Sequence, residues 1–257
     1  MDLGLAGRTA VVCASTGGLG EAVARALAAE GVRVAVSGRR GERARAVAAE
    51  LPGAIAVEVD LTAEEGPQQL VDAALAEFGS VDVLVLNGPG PKPGTAADTT
   101  VADADLALAS LVRPHVRLVS ALLPGMRERG WGRILAVGSS GIEAPIPNLA
   151  LSNLGRAALA GYLKTLASEV AADGVTVNLL LPGRIATDRV AALDRANAER
   201  SGRSSESVRQ AALATIPAGR YGDPAEFGST AAFLCGAPAS YLTGTAIRCD
   251  GGLVPTL

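Results

Sequence analysis

Apolar residues along this chain fall into short, uninterrupted runs that alternate with longer, Ala-rich stretches of helical period. Thr9–Cys13 is a β-branched run that meets a glycine-rich turn, Ala14–Gly20, after which Glu21–Glu30 keeps a helical repeat that stops at Gly31. The alternation then repeats. Val32–Ser37 reads as a second strand, Glu42–Leu51 as a second helix, and Ile55–Val59 as a third strand closed by Asp60. Val81–Leu86 is a strand with almost no polar residue, and Ile134–Val137 and Val175–Leu180 are similar, as strands covered by helices on both faces are. Helical stretches at Asp103–Arg129, Leu151–Ala172 and Pro224–Cys235 separate them. The pattern predicts an α/β fold of Rossmann-like type, a doubly wound parallel sheet in three α/β/α layers. Ligands on such sheets bind beyond the carboxyl ends of the strands.

The segment Arg184–Ile216 departs from this rhythm: it is charged, rich in Ser and Arg, and lies between a strand ending in Pro182-Gly183 and the next helix. It reads as a helical lid over the same edge of the sheet, with a plain solvated helix pair as the alternative. A chain of 257 residues suits one sizeable core, and no repeat, low-complexity tract or linker divides it. A single domain over 1–257 with a lid insertion at 184–216 is expected.

Composition narrows the function. The formal charge is -3, and Lys and Arg are scattered singly, so no basic stripe suits a phosphate backbone and nucleic acid is not an expected partner. Cys13, Cys235 and Cys249 are too few and too far apart for a metal-ligand pattern, and read as buried apolar residues of a reducing compartment. The only histidine, His115, leaves no site that needs two imidazoles, so no metal site is expected. The first residues, Met1–Arg8, lack the regions of a secretory signal, and no later stretch approaches the roughly twenty apolar residues of a spanning helix. The expectation is a cytoplasmic protein with no membrane partner.

Several short motifs follow one another in a telling order. They are the turn Ala14-Ser15-Thr16-Gly17-Gly18-Leu19-Gly20, the strand-end Asp60 with Leu61, Asn87-Gly88, Asn178 with Pro182-Gly183 and Thr187, Leu242-Thr243-Gly244, and Asp250-Gly251-Gly252. Over essentially its whole length the chain resembles the short-chain dehydrogenase/reductase family, in particular the members similar to 3-oxoacyl-carrier-protein reductase. The resemblance implies a nicotinamide dinucleotide held by Ser15, Thr16, Gly18, Leu19, Gly20, Asp60, Leu61, Asn87, Gly88, Pro182, Gly183 and Thr187. Glycines in such a turn permit positive φ and let the backbone approach a pyrophosphate at a helix N-terminus. Ala14 stands where the family has its first glycine, and it suits the turn only if its φ stays negative. Where the second strand ends, Ser37-Gly38-Arg39-Arg40 has no carboxylate to receive a ribose 2′-hydroxyl. NADP(H) is therefore favoured, with Arg39 as partner of the 2′-phosphate and a solvated loop as the alternative.

At the reacting end the chain departs from the family it resembles. Ser139 matches the serine that polarises the carbonyl, with Ser140 able to trade places. The tyrosine position falls on Ser152, the lysine position on Arg156, and the asparagine position near Ser110 or Leu111. Ser152 and Arg156 lie four residues apart and share a helical face, so Arg156 is expected to keep the lysine's bonds to ribose hydroxyls. It binds but does not titrate. A serine hydroxyl is a far weaker acid than a phenol of pKa about 10, and shorter, so Ser152 does not repeat the usual proton transfer. Tyr162, roughly 15 Å further along the helix, is a packing residue. Glu143, four residues after Ser139, is a candidate substitute acid if apolar surroundings raise its pKa, the alternative being a solvent-facing loop glutamate. His115 is read first as a satisfied interface histidine, and Asp188 as a helix-start residue.

These readings predict an NADP(H)-dependent oxidoreductase that reduces a carbonyl or oxidises an alcohol of a small or medium-sized substrate through an atypical active site. The alternatives are a non-redox cyclase, dehydratase or isomerase on the same scaffold, and a non-catalytic nucleotide-binding homologue. The resemblance also implies a homodimer or homotetramer formed through Asp103–Arg129, Leu151–Ala172 and the C-terminus.

Overall fold

The computed structural model describes residues 1–256. Its strands are β1 (Thr9–Val12), β2 (Arg33–Gly38), β3 (Ile55–Glu58), β4 (Val83–Leu86), β5 (Gly132–Val137), β6 (Val175–Pro182) and β7 (Ala246–Cys249). Its helices are α1 (Gly18–Ala29), α2 (Gly41–Ala49), α3 (Gly66–Phe78), α4 (Val101–Leu111), α5 (Arg113–Glu128), α6 (Ala150–Val170), α7 (Asp188–Ser201), α8 (Ser205–Leu213) and α9 (Pro224–Cys235). The strands form one sheet, parallel throughout, in the order β3-β2-β1-β4-β5-β6-β7. The strand order reverses between β1 and β4, which opens a crevice at their carboxyl ends. This is the doubly wound sheet that the alternation predicts.

Apolar runs without polar interruption are explained by the two layers of helix. Leu84 and Leu86 of β4 join one core with Ile134, Val177, Leu118 and Leu163, while Val83 and Val85 join the other with Leu27, Val47 and Phe227. Successive residues of one strand thus enter opposite cores, and each must be apolar.

The structure amends the sequence reading in three places. The helix expected over Asp103–Arg129 is two helices, broken at Val112 (φ -118, ψ -57), because Pro114 enters the first turn of α5 without an N–H for the preceding turn. Within that pair, Val101–Glu128 holds an 18-residue window of mean hydropathy 1.4, so a stretch of spanning composition does exist. Its buried positions, among them Ala107, Leu111, Leu118, Leu122 and Met126, form one stripe packed into the domain. Helix α3 and strand β7 were not anticipated. The segment 184–216 carries α7 and α8, and α7 forms one wall of the crevice.

Candidate active site

A cavity of about 1420 Å³ runs along the carboxyl edge of the sheet, from the glycine turn to the ends of β5 and β6. The turn after β1 is fixed from beneath. Ser15 Oγ donates to the Val12 carbonyl at 2.7 Å and accepts the Ser37 N–H at 2.9 Å, tying β1 to β2. Gly20 is buried in the first turn of α1, where a Cβ would lie 2.4 Å from the Ala14 carbonyl oxygen and 2.8 Å from Asn87 Nδ2. Neither Ser15 nor Gly20 lines the cavity; each shapes the wall that Ala14, Thr16, Gly18 and Leu19 present to it. Gly18 takes φ +56, and Gly17, as N-cap, offers no side chain to the start of α1. The first-turn N–H groups of α1 are thereby left for an anion.

Ala14 has φ +47, in the left-handed region, so the condition that its φ stay negative is not met. The turn geometry is kept with a methyl in it, at a backbone cost of about 1–2 kcal/mol. Asn87 Nδ2 donates to the Ala14 carbonyl at 3.3 Å and closes β4 against the turn. Asp60 and Leu61 line the cavity beyond β3. Two hydrogen bonds from Thr62, from its N–H at 2.9 Å and its hydroxyl at 2.7 Å, hold the Asp60 carboxyl below its ordinary pKa, with the charge of Arg39 adding to the effect. Arg39 is exposed at the cavity rim, whereas Arg40 folds back and donates to the Thr16 carbonyl at 2.8 Å and its hydroxyl at 3.2 Å. Arg40 therefore shares this rim of the cavity with Arg39, a placement that adjacency in sequence does not reveal.

Gly88, Pro182, Gly183 and Thr187 also line the cavity, and Thr187 caps α7 by accepting the Val190 N–H at 3.4 Å. Asn178 does not reach it. Its amide donates to the Leu242 carbonyl at 2.7 Å and accepts the Thr245 N–H at 3.2 Å and hydroxyl at 3.0 Å, tying β6 to the approach of β7.

Ser139, Ser140, Ser152 and Arg156 meet at the far end of the same cavity. Ser139 follows β5, and its Oγ accepts the Gly141 N–H at 3.0 Å. Its hydroxyl proton has no acceptor among the described residues, nor has that of Ser152 on α6. Arg156, one turn beyond Ser152, donates to the Val137 carbonyl at 2.7 Å. Burial pushes its guanidinium down to about 10, with the nearby charge of Arg189 adding to the effect, so it remains a cation at neutral pH. His115, buried behind this end, directs Nδ1 at the Leu111 carbonyl (2.8 Å) and Nε2 at the Asn87 carbonyl (3.3 Å). Burial lowers its pKa. Ser110 and His115 line the cavity, whereas Leu111 is buried away from it.

Glu143 is placed differently from the expectation for a substitute acid. It lies outside the cavity lining and approaches Arg248 at 3.5 Å, because the short helical turn Ser140–Ile142 swings the chain away from Ser139. Tyr162 packs against the core, remote from this end. The rim itself is held by Asn153, which accepts the Ile146 N–H at 3.3 Å and donates to the Ile146 carbonyl at 3.0 Å. Gly94 and Leu149 form a parallel bridge that joins the loops after β4 and β5. Sequence reasoning did not find Arg189, two residues beyond Thr187, whose guanidinium reaches the Gly90 and Pro91 carbonyls at 3.3 Å each. Its only signal was its place in the first turn of the helix that Thr187 caps.

Comparison with known proteins agrees with this fold. A family profile described as enoyl-(acyl carrier protein) reductase matches residues 13–254. Dehydrogenase/reductase SDR family member 4 of Sus scrofa is 35% identical over 98% of this chain and 89% of its own length. The 3-oxoacyl-(acyl-carrier-protein) reductase FabG of Aquifex aeolicus is 32% identical over 98% of this chain and 100% of its own. Among solved structures, L-sorbose reductase of Gluconobacter frateurii, complexed with NADPH and L-sorbose, superposes with a TM-score of 0.94 at 31% identity, covering 100% of both chains.

Proposed function

Since the chain belongs to the short-chain dehydrogenase/reductase family, whose members are nicotinamide-dependent oxidoreductases, we propose that it is an NADP(H)-dependent enzyme reducing a carbonyl, or oxidising the corresponding alcohol, of a small or medium-sized substrate. One observation carries this reading: a single cavity joins the α1 N-terminus and the two arginines after β2 to Ser139, Ser152 and Arg156. A dinucleotide would be held by the first turn of α1 at its pyrophosphate, by Arg39 and Arg40 at a 2′-phosphate, and by Asp60, Asn87 and Thr187 along its length. When bound, its reduced nicotinamide supplies a hydride to the carbonyl carbon.

The protein's part is to hold the charge. The free hydroxyl proton of Ser139 points the carbonyl by donating to its oxygen. Arg156, a desolvated cation bonded to one backbone carbonyl, stabilises negative charge as it develops on that oxygen. Ser152, too weak an acid to replace a phenol, orders the water that delivers the proton. The arginine thus compensates by electrostatics for the proton transfer that a tyrosine and lysine would perform.

Titration with NADPH and NADH, followed by the double change Ser152→Tyr and Arg156→Lys, tests the reading. Tighter NADPH binding and a gain of ketone reduction in the double variant support it. Failure of both nucleotides to bind refutes it. Binding without cofactor oxidation across a ketone panel, with product mass equal to that of the substrate or lower by one water, favours the non-redox alternative that the missing phenol suggests. Retained NADPH binding with no turnover of any kind favours a non-catalytic role. Apolar residues left exposed on α4 and beyond α9, Val101 (79%), Leu106 (68%) and Tyr241 (100%), support a homodimer or homotetramer, and a monomer by light scattering would refute it. A cytoplasmic location remains part of this proposal, consistent with three free cysteines.

A further inference from the structure

The substrate end of the cavity is rich in cations in a chain of formal charge -3. Arg156, Arg184, Arg189 and Arg200 all line it. Arg184 is neutralised by Asp194 at 2.6 Å. The other three have only neutral partners. Arg156 donates to the Val137 carbonyl, Arg189 makes two long bonds of 3.3 Å to the carbonyls of the loop after β4, and Arg200 donates to Asn197 Oδ1 at 2.9 Å. None of them has a carboxylate of a described residue within ion-pair distance. Asp98 and Asp188 also line the cavity, Asp98 accepting from Thr95 and Asp188 in the first turn of α7, but neither lies within ion-pair distance of these three arginines.

A dinucleotide does not account for this excess. Its 2′-phosphate would be met by Arg39 and Arg40 and its pyrophosphate by the first turn of α1, where Gly18 abuts Thr187. Arg189 reaches over the loop Gly90–Pro91 and lines the same cavity as Arg156. Arg156 is largely enclosed and Arg189 is exposed on the cavity wall, and with no carboxylate of a described residue paired to either, an anion entering the cavity is attracted by both. The planar forks of two arginines suit a carboxylate, and the apolar wall made by Ile146, Val190, Leu193 and Leu253 suits a hydrocarbon body.

On the reductase reading above, we propose that the substrate is an oxo acid: its carboxylate is taken by Arg189, with Arg200 at the mouth, while its carbonyl is presented to Ser139 and Arg156. Arg189 is then the residue that sets specificity, and it couples α7 to the loop after β4 while the acid is held.

The test uses the full chain saturated with NADPH and pairs each acid with its own methyl ester: phenylpyruvate, levulinate and acetoacetate. Cofactor oxidation is expected to favour the acid of at least one pair by tenfold or more in kcat/KM. Arg189→Gln should collapse that ratio toward one, mainly through KM. Arg195→Gln, which removes the same charge from the same helix outside this cavity, should leave the ratio unchanged. A parallel measurement follows thermal unfolding with NADPH and each acid or ester, so that binding is seen even without turnover. Acid-specific stabilisation that Arg189→Gln abolishes carries the inference even if the reductase reading fails. No preference for acid over ester in either measurement overturns it, as does an equal loss in Arg195→Gln. A phosphate-bearing ketone, dihydroxyacetone phosphate, preferred over every acid would overturn the carboxylate assignment in favour of a phosphate.

Discussion

Replacing Gly20 by Ala tests whether the nucleotide groove is built as described. The new Cβ would sit 2.4 Å from the Ala14 carbonyl oxygen, 3.0 Å from its carbon and 2.8 Å from Asn87 Nδ2. Two of these atoms are backbone in a turn pinned by Ser15 and Ser37, so they cannot retreat without moving β1 or β2. The third is the amide that donates to Ala14 at 3.3 Å, and displacing it costs that hydrogen bond. Overpacking of this kind costs about 1–3 kcal/mol and the hydrogen bond about 1 kcal/mol, so a loss of about 2–4 kcal/mol is expected. Unfolding entropy of about 2.1 cal/mol/K per residue puts the fall in Tm at roughly 4–8 °C for a chain of this length. The same shift disturbs the turn that presents the α1 N-terminus, and NADPH affinity by fluorescence titration should fall at least about tenfold.

The adjacent change has the opposite sign. Ala14→Gly removes a left-handed alanine worth about 1–2 kcal/mol of strain and adds about 0.4–1 kcal/mol of unfolded-state entropy. A rise in Tm of about 1–2 °C should follow, with NADPH bound at least as tightly. If Gly20→Ala leaves Tm and affinity unchanged, or if Ala14→Gly lowers both, the turn is not arranged as argued and the reasoning fails.

Three further outcomes are expected. Arg39→Asp should weaken NADPH by at least about tenfold while leaving or improving NADH, since a carboxylate repels a 2′-phosphate and accepts from a 2′-hydroxyl; equal loss of both would remove Arg39 from the site. His115 is buried with its pKa lowered below the ordinary 6.5, so the unfolded chain binds its proton first as pH falls. Stability contributed by neutral His115 is complete above about pH 6.5 and drains below it, by up to about 1.4 kcal/mol per pH unit, until its folded pKa is reached. It is the only histidine, and the carboxyls with lowered pKa titrate below this window, so denaturant unfolding of His115→Gln should show a flat profile from about pH 6.5 to 5. Asn153→Ala should free the loop around Ile146 by removing two hydrogen bonds, seen as faster amide exchange at 144–149 and a raised substrate KM with little change in NADPH affinity.

The fold was legible because a sheet buried on both faces writes itself into the chain as unbroken apolar runs, and Val83–Leu86 shows why: alternate residues enter different cores and none can be polar. Boundaries set by single backbone events were less legible. The break at Val112 depends on one missing N–H at Pro114, and β7, with a charged Arg248 in a four-residue strand, has no apolar run to announce it. The site divides in the same way. Motif order brought Ala14, Thr16, Asn87, Ser139, Ser152, Arg156 and Thr187 to one cavity, since each is tied to the end of a strand or the start of a helix, where spacing in sequence translates directly into position. Direction does not follow from spacing. Glu143 is four residues from Ser139, yet a single helical turn between them points it at Arg248, and Asn178 spends its amide on the approach to β7. Arg189 makes the converse case: it stands in a segment that reads as a lid or as a solvated helix pair, and only the fold of α7 over the loop after β4 brings its guanidinium to the Gly90 and Pro91 carbonyls. Arg156 and Arg189 stand on consecutive helices, α6 and α7, and it is the crossing of β6 between them that brings both to one cavity.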